Sequence, residues 1–507
     1  MLNPQQSSLR AGNSRRRFLK QSSALVAATA FMPSLRAYAN RPAGTQVGTS
    51  PYGPLFPTRD LNTGLGLLKL PRGFSYRSYG WTGDMMGDGT LTPDRHDGMA
   101  IVTATSPTGD VTLIRNHERG GSEPDNPLPI IGNAQTPIYD PVTIPGALAG
   151  LGGGTTSLTF RGDQLVDARA TLGGTLTNCA GGAAPWGSWL TCEEVTIIGA
   201  AIGAKDHGFV FEVPDPALAP ARAEPITDMG LMDHEAVAVD PSDSRVYLTE
   251  DNGPKCGFYR FTPNDLSMQI GSLENGGTLE MLKVVGQDNV ALELAQQGDV
   301  FNVEWVPILD PTAGPETLES PAPGFPPIAG AGRSGPYMQG EALGGASFRR
   351  GEGCWVGGDG IIYFVDTSGG AAGKGIVWAY SPVTSVLTAI FVSPAAEVAD
   401  NPDNLAISPN GGILVCEDGG GFTASNGDVV GTRMLGIGRD GSSFVFAENN
   451  IVLQSSEPRR PFIVPDDYRS QEWCGATFDP FGRFLFVNIQ TPGITFVIRG
   501  PWGDGPF

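Results

Sequence analysis

Several apolar stretches of this sequence end in acidic residues. SWLTCEE (188–194), RVYLTED (245–251) and GILVCED (412–418) are runs of β-branched and aromatic residues that finish on two acidic residues, and such runs are typical of buried strands. Carboxylate oxygens are the ligands that hard cations such as Ca²⁺ prefer. The pattern therefore indicates cation-binding chemistry, provided that the fold brings these strand ends together.

Three further stretches have the same form and finish on polar groups that carry oxygen: TLIRNHE (112–118), IIYFVDT (361–367) and FLFVNIQ (484–490). Several of the six follow a turn in which Pro stands beside Asp, Asn or Gly, as in AVDPSDSRVYL, which marks a hairpin between two strands. The repeated unit is strand, turn, strand, acid, at intervals of roughly 50 to 115 residues. This repeat predicts a six-bladed β-propeller with long loop insertions.

The composition supports an all-β fold. The 507 residues include 71 Gly and 42 Pro, and 17% are charged, so turn-forming residues are plentiful and amphipathic helical patterns are scarce. We expect residues 40–507 to form a single propeller domain, with insertions near 120–154 and 307–345 on one face. The formal net charge of −20 argues against nucleic acid and anionic membrane surfaces as partners.

In a propeller, equivalent strand ends surround one central axis. Carboxylates brought together there repel one another unless a cation lies between them, so we expect a central metal site. A solvated turn explains any single acidic pair equally well, but it does not explain the recurrence. Because side chains alternate faces along a strand, we expect one member of each pair to point inward. The pairs are Glu193/Glu194, Glu250/Asp251 and Glu417/Asp418.

Two of the four histidines stand directly before a glutamate, as His117-Glu118 and His234-Glu235. A single histidine is more often a structural group than a ligand. In these two dipeptides we expect the glutamate to bind metal and the histidine to bind metal or to support a ligand.

The N-terminus has the three zones of a cleavable export signal. SRRRFLK (14–20) is followed by the moderately apolar SSALVAATAFMPSL (22–35) and by the small-residue site AYA (37–39). The paired arginines predict that residues 1–39 are a twin-arginine signal peptide. We therefore expect a periplasmic or secreted protein that uses the twin-arginine export machinery. We expect no stable membrane insertion, since no later stretch reaches about 18 uninterrupted apolar residues.

Six cysteines are spread along the chain: Cys179, Cys192, Cys256, Cys354, Cys416 and Cys474. Their spacing gives no compact disulfide framework. We expect most of them to be buried free thiols, or to form one or two disulfides.

The chain carries an ordered set of motifs: RHDGM, LIRNHERG, TNCAGGAAPWGSWLTCEE, MDHEAVAVDP, VYLTEDNGPKCGFYRFTP, FRRGEGCWV, IIYFVDTSGG, PDNLAISPNGGILVCEDG and FDPFGRFLFVNIQTPG. This set spans about residues 53–500 and resembles the PhoX family of twin-arginine-exported alkaline phosphatases. The combination is much more specific than any one of the motifs. The resemblance implies a six-bladed propeller whose central site holds ferric iron and calcium ions, bridged by an oxo group, and hydrolyses phosphate monoesters.

The resemblance also implies roles for individual residues. Cys179 corresponds to the iron-binding thiolate, and Glu194 and Glu235 correspond to ligand carboxylates. Arg350 and Glu352 correspond to the phosphate-binding arginine and the metal ligand of the family's R-x-E pair. The predicted catalytic residues are Cys179, Arg350 and Glu352, and the predicted metal ligands are Cys179, Glu194, Glu235, Glu352, Glu118, Glu250 and Glu417, the last three from motif position and strand ends.

The residue types fit this chemistry on independent grounds. Calcium takes hard oxygen ligands, and iron tolerates a thiolate beside carboxylates. Clustered metals and a bidentate arginine can hold and neutralise a phosphate ester, so small-molecule phosphate esters are the expected partners. No Ser-His-Asp elbow, Walker loop or His-rich zinc motif is present in the sequence. We therefore expect a metal-held oxygen, rather than a side chain, as the nucleophile.

The sequence departs from the family pattern at RRGEG, where proline usually follows the arginine, and at Cys474, where the resemblance leads us to expect no cysteine. These departures leave the class of ester open. Two alternatives remain, a calcium-dependent lactonase-like hydrolase and a non-catalytic, calcium-stabilised binding propeller. The lactonase-like alternative would not need Cys179 or Arg350. We expect the protein to be a monomer.

Overall fold

The computed structural model of the chain describes residues 47–120, 131–142, 152–201, 203–253, 255–317, 332–437, 443–455 and 460–507. The predicted signal peptide at 1–39 and parts of the predicted insertions near 120–154 and 307–345 lie outside these residues. Within the described ranges, no helix is long and apolar enough to cross a membrane.

Strands make up nearly all of the regular structure, and each pairs antiparallel with its neighbours in a sheet. The chain begins with β1 (Leu55–Thr58), β2 (Leu68–Pro71) and β3 (Ser75–Tyr79). Blade 1 contains β4 (His96–Ala104), β5 (Asp110–His117), β6 (Gly153–Arg161) and β7 (Gln164–Thr175). Blade 2 contains β8 (Asn178–Ala184), β9 (Ser188–Glu193) and β10 (Val210–Pro214). Blade 3 contains β11 (His234–Val239), β12 (Val246–Glu250), β13 (Phe258–Pro263) and β14 (Gly277–Val284).

A longer strand, β15 (Val300–Ile308), leads to the second half of the molecule. Blade 4 contains β16 (Gly351–Val356), β17 (Ile362–Asp366), β18 (Ile376–Ser381) and β19 (Val386–Val392). Blade 5 contains β20 (Pro402–Ile407), β21 (Ile413–Glu417), β24 (Arg433–Ile437) and β25 (Ser443–Asn449), with a small hairpin of β22 (Phe422–Thr423) and β23 (Val429–Val430). Blade 6 contains β26 (Trp473–Phe478), β27 (Leu485–Ile489) and β28 (Ile494–Arg499).

Helical structure in the described ranges is short. The α-helix is α1 (Gly335–Ala342), which is capped by Ser334 accepting a hydrogen bond from the Tyr337 amide. The 3₁₀ segments are Gly199–Ala201, Thr227–Met229, Leu273–Asn275, Leu292–Leu294 and Trp502–Asp504. Helix α1 packs on β14 and β15, so this described part of the second predicted insertion lies against blade 3.

The six blades form a closed ring. Their inner strands β4, β8, β11, β16, β20 and β26 contact one another in this order, and β26 contacts β4. Strand β3, from the beginning of the described chain, pairs with β28 and becomes the fourth strand of blade 6. Pairing of the first and last segments joins the two ends of the ring. The prediction of an all-β, six-bladed propeller is confirmed.

Apolar residues fill the space between neighbouring blades. Six buried clusters lie in the described chain, one for each pair of adjacent blades. Representative members are Ile114 and Trp189 (blades 1 and 2), Leu190 and Leu248 (2 and 3), Phe258 and Phe364 (3 and 4), Val365 and Val415 (4 and 5), Leu414 and Val487 (5 and 6), and Phe486 and Leu113 (6 and 1). Because each sheet is covered on both faces, its strands read as nearly continuous apolar runs.

A hydrogen-bonded tyrosine in β3, the strand that closes the ring, allows the stability of this part of the fold to be tested. The buried Tyr76 hydroxyl accepts a hydrogen bond from the Leu67 amide at 2.9 Å and donates one to the Thr58 carbonyl at 3.0 Å. Tyr76→Phe should lower the free energy of unfolding by about 1–3 kcal/mol, because a buried amide loses its acceptor. Tyr79→Phe on the same strand is the control, since that hydroxyl contacts the Asp163 carbonyl in a partly exposed position. Equal losses in urea denaturation would contradict the prediction.

Candidate metal centre

A β-bulge occurs near the start of every inner strand. In each blade the register between the first and second strands shifts once at this place. In blades 1 to 5 one residue of the inner strand pairs with the second strand, the register then shifts, and the unpaired residue directly after that pair is the one of interest. In blade 6 the residue at the same position is Cys474, after which the register shifts. A bulge turns a side chain out of the regular pleat. We call the residues at this position the inner ring: Asp97, Cys179, Glu235, Glu352, Asp403 and Cys474.

A second ring comes from the strands that pair with the inner strands. The residue directly after each second strand donates its backbone N–H to a carbonyl two residues before the inner-ring residue of the same blade, at 2.9 to 3.3 Å. This hydrogen bond holds the two chain segments together next to the axis. We call these residues the outer ring: Glu118, Glu194, Asp251, Thr367, Asp418 and Gln490.

The carbonyl partners of the outer ring form the mouth of the site: Arg95, Thr177, Asp233, Arg350, Asn401 and Glu472. Four of them have a left-handed backbone, with φ of 50° at Arg95, 45° at Thr177, 61° at Arg350 and 50° at Asn401. This conformation is costly for residues other than glycine and is concentrated at functional sites. The repeated strain indicates that the local geometry of the mouth is imposed by the ring.

The rings bring possible metal ligands into contact. Nine residues form four groups whose ligand atoms lie within 4.8 Å of one another. The groups are Cys179–Glu194–Glu235, Glu235–Glu352–Asp403, Asp403–Asp418–Glu472 and Asp97–Glu472–Cys474. Because Glu235, Asp403 and Glu472 are each shared between two groups, the ligands form one continuous cluster.

Two of these carboxylates have oxygens without a partner in the described part of the chain. Glu235 is buried, and neither of its carboxylate oxygens has a hydrogen-bond partner in the described part of the chain. The same is true of one oxygen of Asp97, which is also buried. An unpaired carboxylate in such a position is strongly destabilising unless a cation satisfies it. The residues present therefore fit a multinuclear cation cluster, with oxygen ligands suited to calcium and thiols suited to iron.

The charges inside the site act on one another. Burial raises the pKa of Glu235 well above its usual range, and the Glu352 and Glu194 carboxylates raise it further. Burial also raises the pKa of Asp97, with the next contribution from Glu118. For Asp403, burial and the Asp418 carboxylate raise the pKa to about 7. These shifts have the sign expected when like charges are forced together without enough positive charge.

Arg350 is the cation placed against this cluster at the mouth. Its Nε and Nη2 donate to the two oxygens of Asp251 at 3.0 and 2.8 Å, and its Nη2 lies 3.0 Å from Glu352. About a third of the Arg350 side chain remains exposed, at 37%. The guanidinium is therefore fixed by two carboxylates and still reachable from solvent, which suits recognition of an anion at the mouth.

The structure brings five of the predicted residues together directly: Cys179, Glu194, Glu235, Arg350 and Glu352. Glu118 lies beside them, since the Gln490 side chain donates to Glu118 at 2.6 Å and to Asp97 at 3.3 Å.

Glu250 and Glu417 do not join the cluster, and their assignment as ligands is corrected. Glu250 accepts hydrogen bonds from the Tyr259 hydroxyl at 2.6 Å and the Gly257 amide at 3.0 Å. Glu417 forms a buried ion pair with Arg433. Each is the last paired residue of its strand, so the pleat directs it away from the axis, and the next residue turns inward. Asp251 and Asp418 take these two places in the site.

The two candidate histidines are held by other groups. The ring nitrogens of His117 lie 2.8 Å from the Asp94 carbonyl and 2.9 Å from the Thr156 hydroxyl. His234 Nε2 lies 2.9 Å from the Gly230 carbonyl. Neither histidine belongs to a group of possible metal ligands in the described chain, so both are placed as supports of the inner strands. All six cysteines are buried and free.

The sequence reasoning named Asp251 and Asp418 only as members of acidic pairs and chose Glu250 and Glu417 instead, and it missed Asp97, Asp403, Glu472 and Cys474 as possible ligands. A signal was present for the inner ring, because its members are followed by a small residue in five blades: Gly98, Ala180, Ala236, Gly353 and Gly475. These residues line a cavity of only about 10 Å³, so almost no space is left between the inner strands. A Cβ on Gly98 would lie 2.5 Å from Ala180 Cα, and a Cβ on Gly353 would lie 2.8 Å from the Asp403 carbonyl oxygen. The small residues thus allow the inner strands to approach closely.

A family model described as alkaline phosphatase PhoX matches residues 50–159 and 141–493. No curated protein matches the sequence. Among solved structures, PhoX of Pseudomonas fluorescens, in complex with vanadate, a transition state analogue, is similar to this chain with a TM-score of 0.57 and 17% identity. The match covers 91% of this chain and 99% of that chain. At this identity the likeness shows the fold alone.

A gluconolactonase from Xanthomonas campestris has 11% identity and a TM-score of 0.37, with 91% of this chain and 99% of that chain covered. The periplasmic gluconolactonase of Pseudomonas aeruginosa has 13% identity and a TM-score of 0.32, with 73% and 94% covered. Likenesses of this strength carry no argument about function.

Two glutamates test the corrected ligand set. Glu235→Gln should lower the amount of metal bound per protein and reduce the rise in Tm that metal produces, because Glu235 has no other partner. Glu250→Gln should lower stability by about 1–3 kcal/mol with or without chelator, since Tyr259 and Gly257 lose a charged acceptor, and it should leave the metal content unchanged. Metal analysis and thermal denaturation of both variants provide the measurement. Equal loss of metal in the two variants would return Glu250 to the candidate ligands.

Proposed function

Because the chain belongs to the alkaline phosphatase PhoX family, we propose that it hydrolyses small-molecule phosphate monoesters at the metal centre on the propeller axis. One observation carries the proposal beyond family membership. A cluster of possible ligands that includes the buried, unpaired Glu235 lies directly beneath a half-buried arginine, Arg350. Cation sites next to a fixed guanidinium are what a phosphate dianion requires.

The ligand residues define which cofactors the site would hold. Cys179, Glu194 and Glu235 would hold iron as Fe³⁺, since a thiolate beside carboxylates suits a transition metal. Glu352, Asp403 and Asp418 offer only oxygen, which suits Ca²⁺. When bound, such ions neutralise phosphate oxygens and lower the pKa of water. Within the described chain, no histidine lies in the cluster to act as a proton carrier.

Two arginines would orient the ester. Arg350 belongs to blade 4 and Arg95 to blade 1, and in a ring of six these blades are opposite one another. Arg95 donates to the Gln490 side chain at 2.7 Å, and Gln490 in turn donates to Glu118 and Glu472, each at 2.6 Å. The mouth therefore has positive charge on both sides of an acidic floor. A bound phosphate would be held between them and directed toward the floor.

We also propose that the protein acts outside the cytoplasmic membrane, after twin-arginine export and removal of residues 1–39. The free, buried state of all six cysteines supports this proposal. Cysteines remain reduced in the cytosol, and a chain that folds there before export buries them before it meets an oxidising compartment.

The proposed reaction is tested with p-nitrophenyl phosphate at alkaline pH, using purified protein and metal analysis of the same sample. We expect hydrolysis together with bound iron and calcium, and loss of iron and activity in Cys179→Ala, because the thiolate is a ligand. Calcium without iron, and no hydrolysis, would contradict the proposal and favour a lactonase-like hydrolase or a binding propeller. If the protein binds iron and calcium but hydrolyses no phosphate monoester, the proposed phosphatase function is wrong, while the proposed metal centre stands.

The role of Arg350 is tested separately. Arg350→Ala should lower kcat/KM for p-nitrophenyl phosphate by about 100-fold or more, the loss typical when one fixed donor to a charged transition state is removed. Arg350→Lys should recover only part of the activity, since lysine keeps the charge but lacks the planar fork. Arg349→Ala is the matched control, because its side chain is the exposed neighbour. If Arg349→Ala lowers kcat/KM as much as Arg350→Ala, the effect comes from positive charge in general and Arg350 is not the phosphate-binding arginine.

A further inference from the structure

Blade 6 places a second thiol in the cluster. Cys474 is buried and occupies the inner-ring position. Cys179 occupies the same ring in blade 2, and Asp97 of blade 1 lies between the two thiols. The ligand atoms of Asp97, Glu472 and Cys474 lie within 4.8 Å of one another. One ion could therefore contact a thiolate and two carboxylates at this place.

A second observation indicates that these residues hold a ligand. Asp97 is buried, and its Oδ1 has no hydrogen-bond partner in the described part of the chain. Its Oδ2 accepts from Gln490 Nε2 at 3.3 Å and lies 3.9 Å from Cys179 Sγ. A buried carboxylate oxygen without a donor is unfavourable unless a cation satisfies it. Asp97 therefore has one unpartnered oxygen, Oδ1, in a group that also contains a thiol and a second carboxylate.

Packing alone does not account for Cys474. Its Sγ lies 3.0 Å from the His96 carbonyl oxygen, and a thiol that only fills space could make this contact. A simple packing role does not explain why carboxylate oxygens of Asp97 and Glu472 both lie within 4.8 Å of the same sulfur. Cys192, Cys354 and Cys416 are equally buried, yet none of them belongs to a group of possible ligands among the described residues. Cys474 shares its surroundings with Cys179 and differs from the packing cysteines.

We propose that Asp97, Glu472 and Cys474 form a second sulfur-containing metal subsite, which takes a thiophilic transition-metal ion, iron in this cluster, instead of calcium. The ion replaces the thiol proton, which passes to solvent, and no electron is transferred. Calcium takes oxygen ligands, whereas thiolates select transition metals. The inference rests on the proposed metal-dependent function and extends it, because it assigns the chain a second thiolate ligand on the opposite side of Asp97 from Cys179.

The test compares purified holoenzymes of the wild type, Cys474→Ala, Cys474→Ser and Cys179→Ala, with Cys416→Ala as the matched buried control. Bound metals are counted by elemental analysis, and metal–sulfur bonds are measured by X-ray absorption at the iron edge. We expect Cys474→Ala and Cys179→Ala each to lose about half of the iron–sulfur scattering. Cys416→Ala should keep the full signal. Cys474→Ser keeps the size of the side chain, so it separates loss of a sulfur ligand from loss of the fold.

The outcomes are distinct. Reduced iron–sulfur scattering in folded Cys474→Ser, with the full signal in Cys416→Ala, supports the second subsite. Wild-type iron content and unchanged scattering in both Cys474 variants overturns it and leaves Cys474 as a packing residue. A wild type that binds no iron at all removes the proposed iron-dependent function together with this inference. If the wild type binds iron and hydrolyses phosphate esters, and the Cys474 variants keep the wild-type iron content and iron–sulfur scattering, only the second subsite is overturned.

Discussion

Repulsion among buried carboxylates is the constraint on which the rest of this structure depends. The ring carries Asp97, Glu235, Glu352 and Asp403 on its inner strands, and burial together with the neighbouring charges raises the pKa of each. Without cations this arrangement destabilises the folded chain, because like charges at close range in a buried site cost far more than in water. The propeller supplies the opposing stability through six apolar clusters between its blades. The apolar clusters between the blades therefore keep the carboxylates together in an arrangement that suits bound cations.

The same two local features position the site residues in every blade. A bulge on the inner strand aims one side chain at the axis, and the residue after the second strand adds another. The backbone hydrogen bond between the two segments fixes their separation, so ligands from distant parts of the chain take equivalent positions. Repetition of one geometry six times explains how Cys179 and Cys474, almost the whole propeller apart in sequence, come to lie on either side of Asp97. Replacing the residue at one ring position changes the donor chemistry there without changing the blade.

The strands and turns of the sequence were enough to predict the fold, because the second strands are apolar runs and several of them have a recognisable turn before them. The sequence was less informative about which of two adjacent acidic residues faces the axis. Glu194 lies in the cluster, and in the other two pairs Asp251 and Asp418, rather than Glu250 and Glu417, lie at the site. In all three pairs the second acid turns inward, since the first is the last residue in register with its neighbour. Register depends on pairing between strands, which a single sequence does not display.

The inner ring was harder to find for a related reason. Asp97, Asp403 and Cys474 stand alone within strands, and nothing in their own segments distinguishes a ligand from a buried structural residue. The shared feature is the small residue that follows five of the six ring members, Asp97 and Cys474 among them but not Asp403, and this small residue permits close approach at the axis. Seen around the ring, blades 6, 1 and 2 contribute Cys474, Asp97 and Cys179, while blades 3, 4 and 5 contribute only carboxylates. The inner ring therefore has one side that contains both thiols and another side that offers only carboxylate oxygens, and these donor types favour transition metals and calcium respectively. Arg350 belongs to blade 4, the blade opposite Asp97, so its guanidinium lies on the side of the ring whose inner positions are all carboxylates.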